Sequence, residues 1–239
     1  MNQFQQQQQQ PQWVSASTAE MDLRVRAFIR SVYGWMFGGL LLTALASMWV
    51  VVSPAMQQLI FANRIVPWGL FFVELGLVFA ISAGIRRFSP GAAAAMFFVF
   101  SLLNGLSLSA IFFVYSQQSI LQAFLTAAGM FGAMSIYGTV TKRDLTSWGS
   151  FFFMGLIGIV ICSLVNMFIR SSGLSFVISI VGVFVFLGLT AYDTQKLRAF
   201  ATVGGPMQEN LAIYGALSLY LDFINLFILL LRLFGGNRR

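Results

Sequence analysis

A chain of 239 residues that is 58% hydrophobic and only 9% charged departs far from soluble domains, where roughly 45–50% of residues are apolar and about 25% charged. No water-soluble fold hides that much apolar surface, and apolar runs long enough to cross a hydrocarbon core of about 30 Å recur along nearly the whole chain after Arg30. The net charge of +7 excludes little by itself, but the basic residues lie in short segments between apolar runs. They do not form an interleaved basic and aromatic surface, which argues for membrane orientation and against a nucleic-acid partner.

In chain order, residues 1 to about 20 begin with a glutamine run, Gln5 to Gln10, followed by Pro11. Such a polar, low-complexity stretch is read as a disordered tail, leaving 21–239 as one transmembrane domain. No secretory signal is recognised in it; Arg24, Arg26 and Arg30 instead lead into a first membrane helix held by a basic flank. The predicted spans are roughly 32–52, 67–85, 91–115, 120–140, 148–169, 174–195 and 211–234, an all-α polytopic protein of about seven transmembrane helices. The breaks carry turn residues: Ser53-Pro54, Asn63 with Pro67, Ser89-Pro90-Gly91, Ser116 to Ser119, Lys142-Arg143-Asp144, Ser171 to Gly173 and Gly204-Gly205-Pro206.

Loop charge sets the topology. With the N-terminus inside, Arg24, Arg26, Arg30, Arg86, Arg87, Lys142, Arg143, Lys196 and Arg198 fall on the inner side, and the outer loops hold only Arg64 and Arg170. Positive residues prefer the cytoplasmic side, so the N-terminus is expected there. Arg232, Arg238 and Arg239 dissent, because a seventh full span places them outside; either the rule yields locally or the last segment is re-entrant. Small-residue faces, with Ser101, Gly105 and Ser109 in the third span and Gly155, Gly158, Cys162 and Asn166 in the fifth, are read as helix-packing surfaces.

One cysteine and no histidine leave no internal disulfide and remove the usual ligands of zinc and haem, so no cofactor is expected. The same lack forbids a histidine pH switch. Any proton response near neutrality must come from carboxylates, and three fall within apolar runs: Glu74, Asp193 and Asp222. A charge at the bilayer centre costs at least about 2.5–3.5 kcal/mol, so such residues face a cavity or a partner and are functional candidates by default.

Tyr214, Ser218, Asp222 and Asn225 fall within an arc of about 80° on the last helix, a single polar stripe. On the preceding helix Ser179, Gly182, Thr190 and Asp193 share one side, and beyond them Lys196 and Arg198 can snorkel to the inner interface. Counting at about 1.5 Å per residue puts Asp193 and Asp222 at comparable depth, where they could meet. Two carboxyls meeting in low dielectric cannot both stay ionised, so one holds its proton to higher pH and the pair titrates in coupled steps, a proton-operated latch. The plainer alternative is an interhelical hydrogen-bond lock. Glu74 with Ser82, and Arg86 at the inner end of the same helix, add an acid and a counter-charge near that depth, although Arg86 and Arg87 also suit simple positive-inside anchoring.

The stretches Val32 to Met36, Gly129 to Ser135, Tyr137 to Leu145, Gly188 to Leu197 and Ser218 to Leu226 resemble the Bax inhibitor-1 family, in its bacterial inner-membrane branch. The resemblance implies two groups of three helices around a central last helix, and a pH-sensitive calcium leak. It also implies that Asp193 and Asp222 share a proton and are latched by an arginine at the inner end of the second helix, here Arg86 with Arg87 adjacent, and that Glu74 faces the ion path. The implied partners are the bilayer, protons and Ca²⁺, which oxygen ligands such as Asp193, Asp222 and Glu74 would hold only transiently. On this reading the leak rate changes between about pH 6 and 8.

Two other classes compete with the leak, which is not an enzyme. An intramembrane aspartyl protease also sets two aspartates on adjacent membrane helices, and Tyr192-Asp193 resembles half of that signature; the Gly-x-Gly-Asp turn of the other half is missing at Leu219-Tyr220-Leu221-Asp222. A membrane modulator of a protease or secretion complex would instead use a smooth small-residue helix face toward a protein partner.

Overall fold

The computed structural model describes the backbone of residues 12–202 and 207–235, and the side chains of those from residue 20 onward. Its regular elements are all helical: α1 (Gln12–Val52), α2 (Pro54–Phe61), α3 (Ile65–Gly84), α4 (Pro90–Leu108), α5 (Ile111–Val114), α6 (Gln117–Val140), α7 (Thr146–Ile169), α8 (Ser172–Ala201) and α9 (Met207–Phe234). Seven of the helical stretches are long and apolar enough to span a membrane, in the order expected. The glutamine run lies outside the described residues, and α1 begins at Gln12, inside the stretch expected to be tail.

The breaks form where turn residues allow them. Ser53, Ser89, Ser116 and Ser171 cap α2, α4, α6 and α8, each side-chain oxygen accepting an amide N–H three residues on, and Pro54 and Pro90 open the helices they begin. At the far end of α7, Arg170 turns left-handed at φ 56° and closes the helix. Asn63 accepts the Ile65 amide at 2.9 Å and starts α3.

α9 packs against α1, α3, α4, α6 and α8, so the last helix is the centre of the molecule. On one side α1 and α3 both pack on α4; on the other α6 and α7 both pack on α8. This is the expected arrangement of two groups of three around a central C-terminal helix. Most of α9 is buried, while the spanning part of α7 keeps no buried side chains beyond Gly149 and faces outward.

Close crossings use glycine. A Cβ on Gly105 of α4 would meet the Thr43 carbonyl oxygen at 2.5 Å and Ala46 Cβ at 2.7 Å, so α1 and α4 touch backbone to backbone there. Gly138 of α6 lies against the Ala191 carbonyl of α8 in the same way. Small residues permit this approach, and in lipid the approach itself drives association.

α9 runs unbroken for 28 residues, about 42 Å at 1.5 Å per residue, more than a hydrocarbon core of about 30 Å. The final segment is thus one continuous helix long enough for a full span, with exposed Arg232 in its last turn.

Candidate functional site

The α8/α9 pair is antiparallel. A Cβ on Gly215 of α9 would fall on the Leu197 side chain, and one on Gly182 of α8 would stand 2.7 Å from Leu229, so these residues face each other across the pair. That register sets Asp222 level with Leu189 and Thr190, about one helical turn from Asp193 along the axis. The two acids lie within electrostatic reach of each other.

Their surroundings differ. Asp222 is 4% exposed, and its Oδ2 is buried with no hydrogen-bond partner among the described residues. Asp193 is half-buried and feels the ammonium of Lys196, which sits over the rings of Tyr192, Phe200 and Tyr214 at 5.9, 5.5 and 5.4 Å. Lys196 thus snorkels along aromatic surface toward the inner end, as its position beyond Asp193 suggested.

Two more buried hydroxyls lack partners, Ser135 Oγ of α6 and Thr194 Oγ1 of α8. With Asp222 Oδ2 they occupy three helices that pack on one another. An unpaired polar group in so apolar an interior costs energy, so each of these three positions calls for an explanation beyond helix packing. Thr190, by contrast, back-bonds to the Phe186 carbonyl at 2.7 Å.

The polar stripe of α9 also borders the accessible side. Between Leu211 and Leu231 every residue is buried except Tyr214, Ser218, Leu221, Asn225 and Ile228, which are half-buried and recur at helical spacing. Asp222 stands just beside this line. The central helix therefore presents one narrow, partly open seam, polar along much of its length.

Glu74 is not part of the aspartate pair. Its carboxylate accepts from Asn104 Nδ2 at 3.1 Å and Ser107 Oγ at 2.5 Å, both on α4. Asn104 Oδ1 accepts in turn from Tyr220 OH at 2.9 Å, and Tyr220 shares a 2.6 Å hydrogen bond with Thr43 of α1. Phe97 and Phe100 stand edge-on to the tyrosine ring. Among the described residues no three acids gather into a metal-binding group, so Asp193, Asp222 and Glu74 do not form one cation site in this structure.

Arg86 and Arg87 are exposed in the turn after α3, and neither forms an ion pair or hydrogen bond through its guanidinium among the described residues. The cation beside the pair is Lys196. The turn itself is held to the central helix, because Asn210 Nδ2 of α9 donates to the carbonyls of Ile85 and Phe88 at 2.8 and 2.9 Å.

Sequence reasoning overlooked Asn104, Ser107, Tyr220, Thr43 and Asn210. The signal was present for Asn104: an amide within an apolar span is a functional candidate by the same rule that selected the acids.

A family model described as "Inhibitor of apoptosis-promoting Bax1" matches residues 25–239. An Escherichia coli protein named "Inner membrane protein YbhL" is 48% identical over 218 residues, 90% of this chain and 93% of its own length. An uncharacterized Borreliella burgdorferi protein is 44% identical over 88% of this chain and 92% of its own, and an uncharacterized Streptococcus pyogenes membrane protein is 41% identical over 91% and 96%. With seven apolar spans around a central acid-bearing helix and matches of this extent, the chain is a multi-pass membrane protein that belongs to the Bax inhibitor-1 family.

Proposed function

We propose that the protein is a pH-sensitive leak channel for calcium and related cations in a bacterial inner membrane, gated by a proton shared between Asp193 and Asp222. The observation that carries this reading is the Asp222 oxygen buried without a partner on the central helix, beside a second carboxyl. With one shared proton the pair carries a single negative charge. Loss of that proton sets two negative charges together in low dielectric, a state relieved by separating α8 from α9 or by admitting a divalent cation, which favours carboxylate oxygens.

The half-buried line of Tyr214, Ser218, Leu221 and Asn225 supplies the path, and Glu74 a third acid on the other side of α9. Arg86, or Arg87 beside it, is exposed here and would act as a latch only after movement of the end of α3. The inner-membrane placement rests on the likeness to the Escherichia coli protein and on the basic residues gathered at one end of the bundle.

The test is calcium flux into liposomes holding the purified protein, read with an entrapped dye across a pH series. The expected result is flux that changes with pH, with Asp193→Asn and Asp222→Asn each flattening the dependence. Unchanged flux and unchanged pH dependence in both variants would overturn the gate.

A further inference from the structure

α6 and α7 both lean on α8 but make little contact with each other, and the cleft between them near the inner end encloses a cavity of about 200 Å³. Gly188 and Ala191 of α8 form its floor. Tyr137 of α6 and Trp148 and Phe152 of α7 form its walls, and Arg143 of the α6–α7 loop stands at the mouth. Trp148 and Phe152 stack at 6.1 Å, and the Phe152 ring packs over Gly188, whose missing side chain lets the ring seat against α8. Tyr137 and Trp148 are 41% and 54% exposed, which opens the cleft toward the hydrocarbon at its inner rim.

The mouth is rigid and positive. Gln195 of α8 donates to the Arg143 carbonyl and accepts from the Leu145 amide, both at 2.8 Å, pinning the loop backbone. The Arg143 guanidinium has no ion pair or hydrogen bond among the described residues, and Lys142 stands next to it. The neighbouring acid, Asp144, is occupied by the amide and hydroxyl of Thr146 at 2.9 and 2.6 Å. Below the positive mouth come a tyrosine and a tryptophan at the rim and an apolar slot, the order of groups met along a phospholipid from headgroup to chain.

We propose that this cleft is a binding site for an anionic phospholipid, its phosphodiester on Arg143 and one acyl chain lying against Ala191 and the rings of Trp148 and Phe152. A free anion would satisfy the guanidinium and leave the apolar slot unfilled. A zwitterionic lipid would bring its own ammonium against Arg143 and Lys142. Only an amphiphile with net negative charge matches both parts. The inference rests on the fold and not on the leak, so either can fail alone.

The experiment uses the full chain in phosphatidylcholine nanodiscs, titrated with brominated phosphatidylglycerol while tryptophan fluorescence is followed, with native mass spectrometry counting retained lipid. A saturable quenching component that disappears in Trp148→Phe is expected, with about tenfold weaker phosphatidylglycerol affinity in Arg143→Gln, from loss of a charge-assisted bidentate contact. Arg30→Gln, an exposed inner-side cation away from the cleft, should bind as the parent does. Equal losses in both arginine variants, or none in Arg143→Gln, would reduce the effect to general surface attraction and overturn the site. Equal quenching by brominated phosphatidylcholine, or displacement of the lipid by millimolar inorganic phosphate, would overturn it as well.

Discussion

Tyr220 and Asp222 stand two residues apart on α9 and, at about 100° per residue, point to nearly opposite sides of the central helix. The tyrosine turns to α1 and α4 and is fully hydrogen-bonded; the aspartate turns to α8 and is not. The first is therefore expected to hold the bundle together and the second to work. Tyr220→Phe removes the hydroxyl that bonds Thr43 and Asn104, and leaves the Thr43 hydroxyl the carbonyls of Gly39 and Ser101 within reach to donate to. Hydrogen bonds in membrane bundles are worth about 0.6 kcal/mol each on average and up to about 1.7, so for the two lost a destabilisation of about 1–3 kcal/mol is expected in detergent-denaturant unfolding, with the pH dependence of any calcium flux retained. Outside the membrane, Thr146 holds Asp144 below the usual carboxylate range, first through its hydroxyl and then through its amide. A carboxyl lowered in the folded state lends its support above the ordinary aspartate pKa of about 3.9 and withdraws it as pH falls through the lower folded value. Hydrogen-exchange protection of the Thr146 amide should accordingly hold steady from neutrality down to about pH 4 and decline only below it.

Between helices, the decisive contacts are backbone approaches that a single methyl would disrupt. Gly105→Ala drives a Cβ into the Thr43 carbonyl and Ala46, where both partners are helix backbone or its first carbon and neither can swing away. A cost of about 1–3 kcal/mol is expected, as for other overpacked interiors. Gly129→Ala on α6 meets nothing within 4 Å and serves as the matched control, neutral or stabilising by up to about 1 kcal/mol from helix propensity. Unfolding both in parallel checks the pair. The same residues show what periodicity can reveal. Ser101, Gly105 and Ser109 announced a packing face on α4 because their spacing is local to one helix. Asn104, immediately beside that face, gave no such pattern, and its role depends on Glu74 from α3 and Tyr220 from α9. Seven spans and their order followed from length and turn residues, and the comparable depth of Asp193 and Asp222 from counting along their helices, all readable along the chain. The side to which Glu74 turns, and the distance that separates exposed Arg86 from the pair, depend on which helices neighbour which, and no single helix carries that information.

Across the whole molecule, charge and helix number pull against each other. Asn210 joins the start of α9 to the α3–α4 turn, and Gln195 near the end of α8 joins the α6–α7 loop. These contacts gather Arg86, Arg87, Lys142, Arg143, Lys196 and Arg198 at one end of the bundle. That end is the cytoplasmic one by the positive-inside rule, which weighs short loops near the helix ends most heavily. Seven crossings then put the end of α9 on the opposite face, despite Arg232 in its last turn. The rule yields there because α9 is central: reversing it would require the helix packed on both groups of three to leave its place, at the loss of most of the buried core. With Cys162 replaced by serine, Asn237→Cys expressed in intact spheroplasts should react with an impermeant maleimide, and Arg143→Cys should react only after permeabilisation. The opposite pattern at both positions would invert the topology, and protection of Asn237→Cys alone would return the final segment to the inner face.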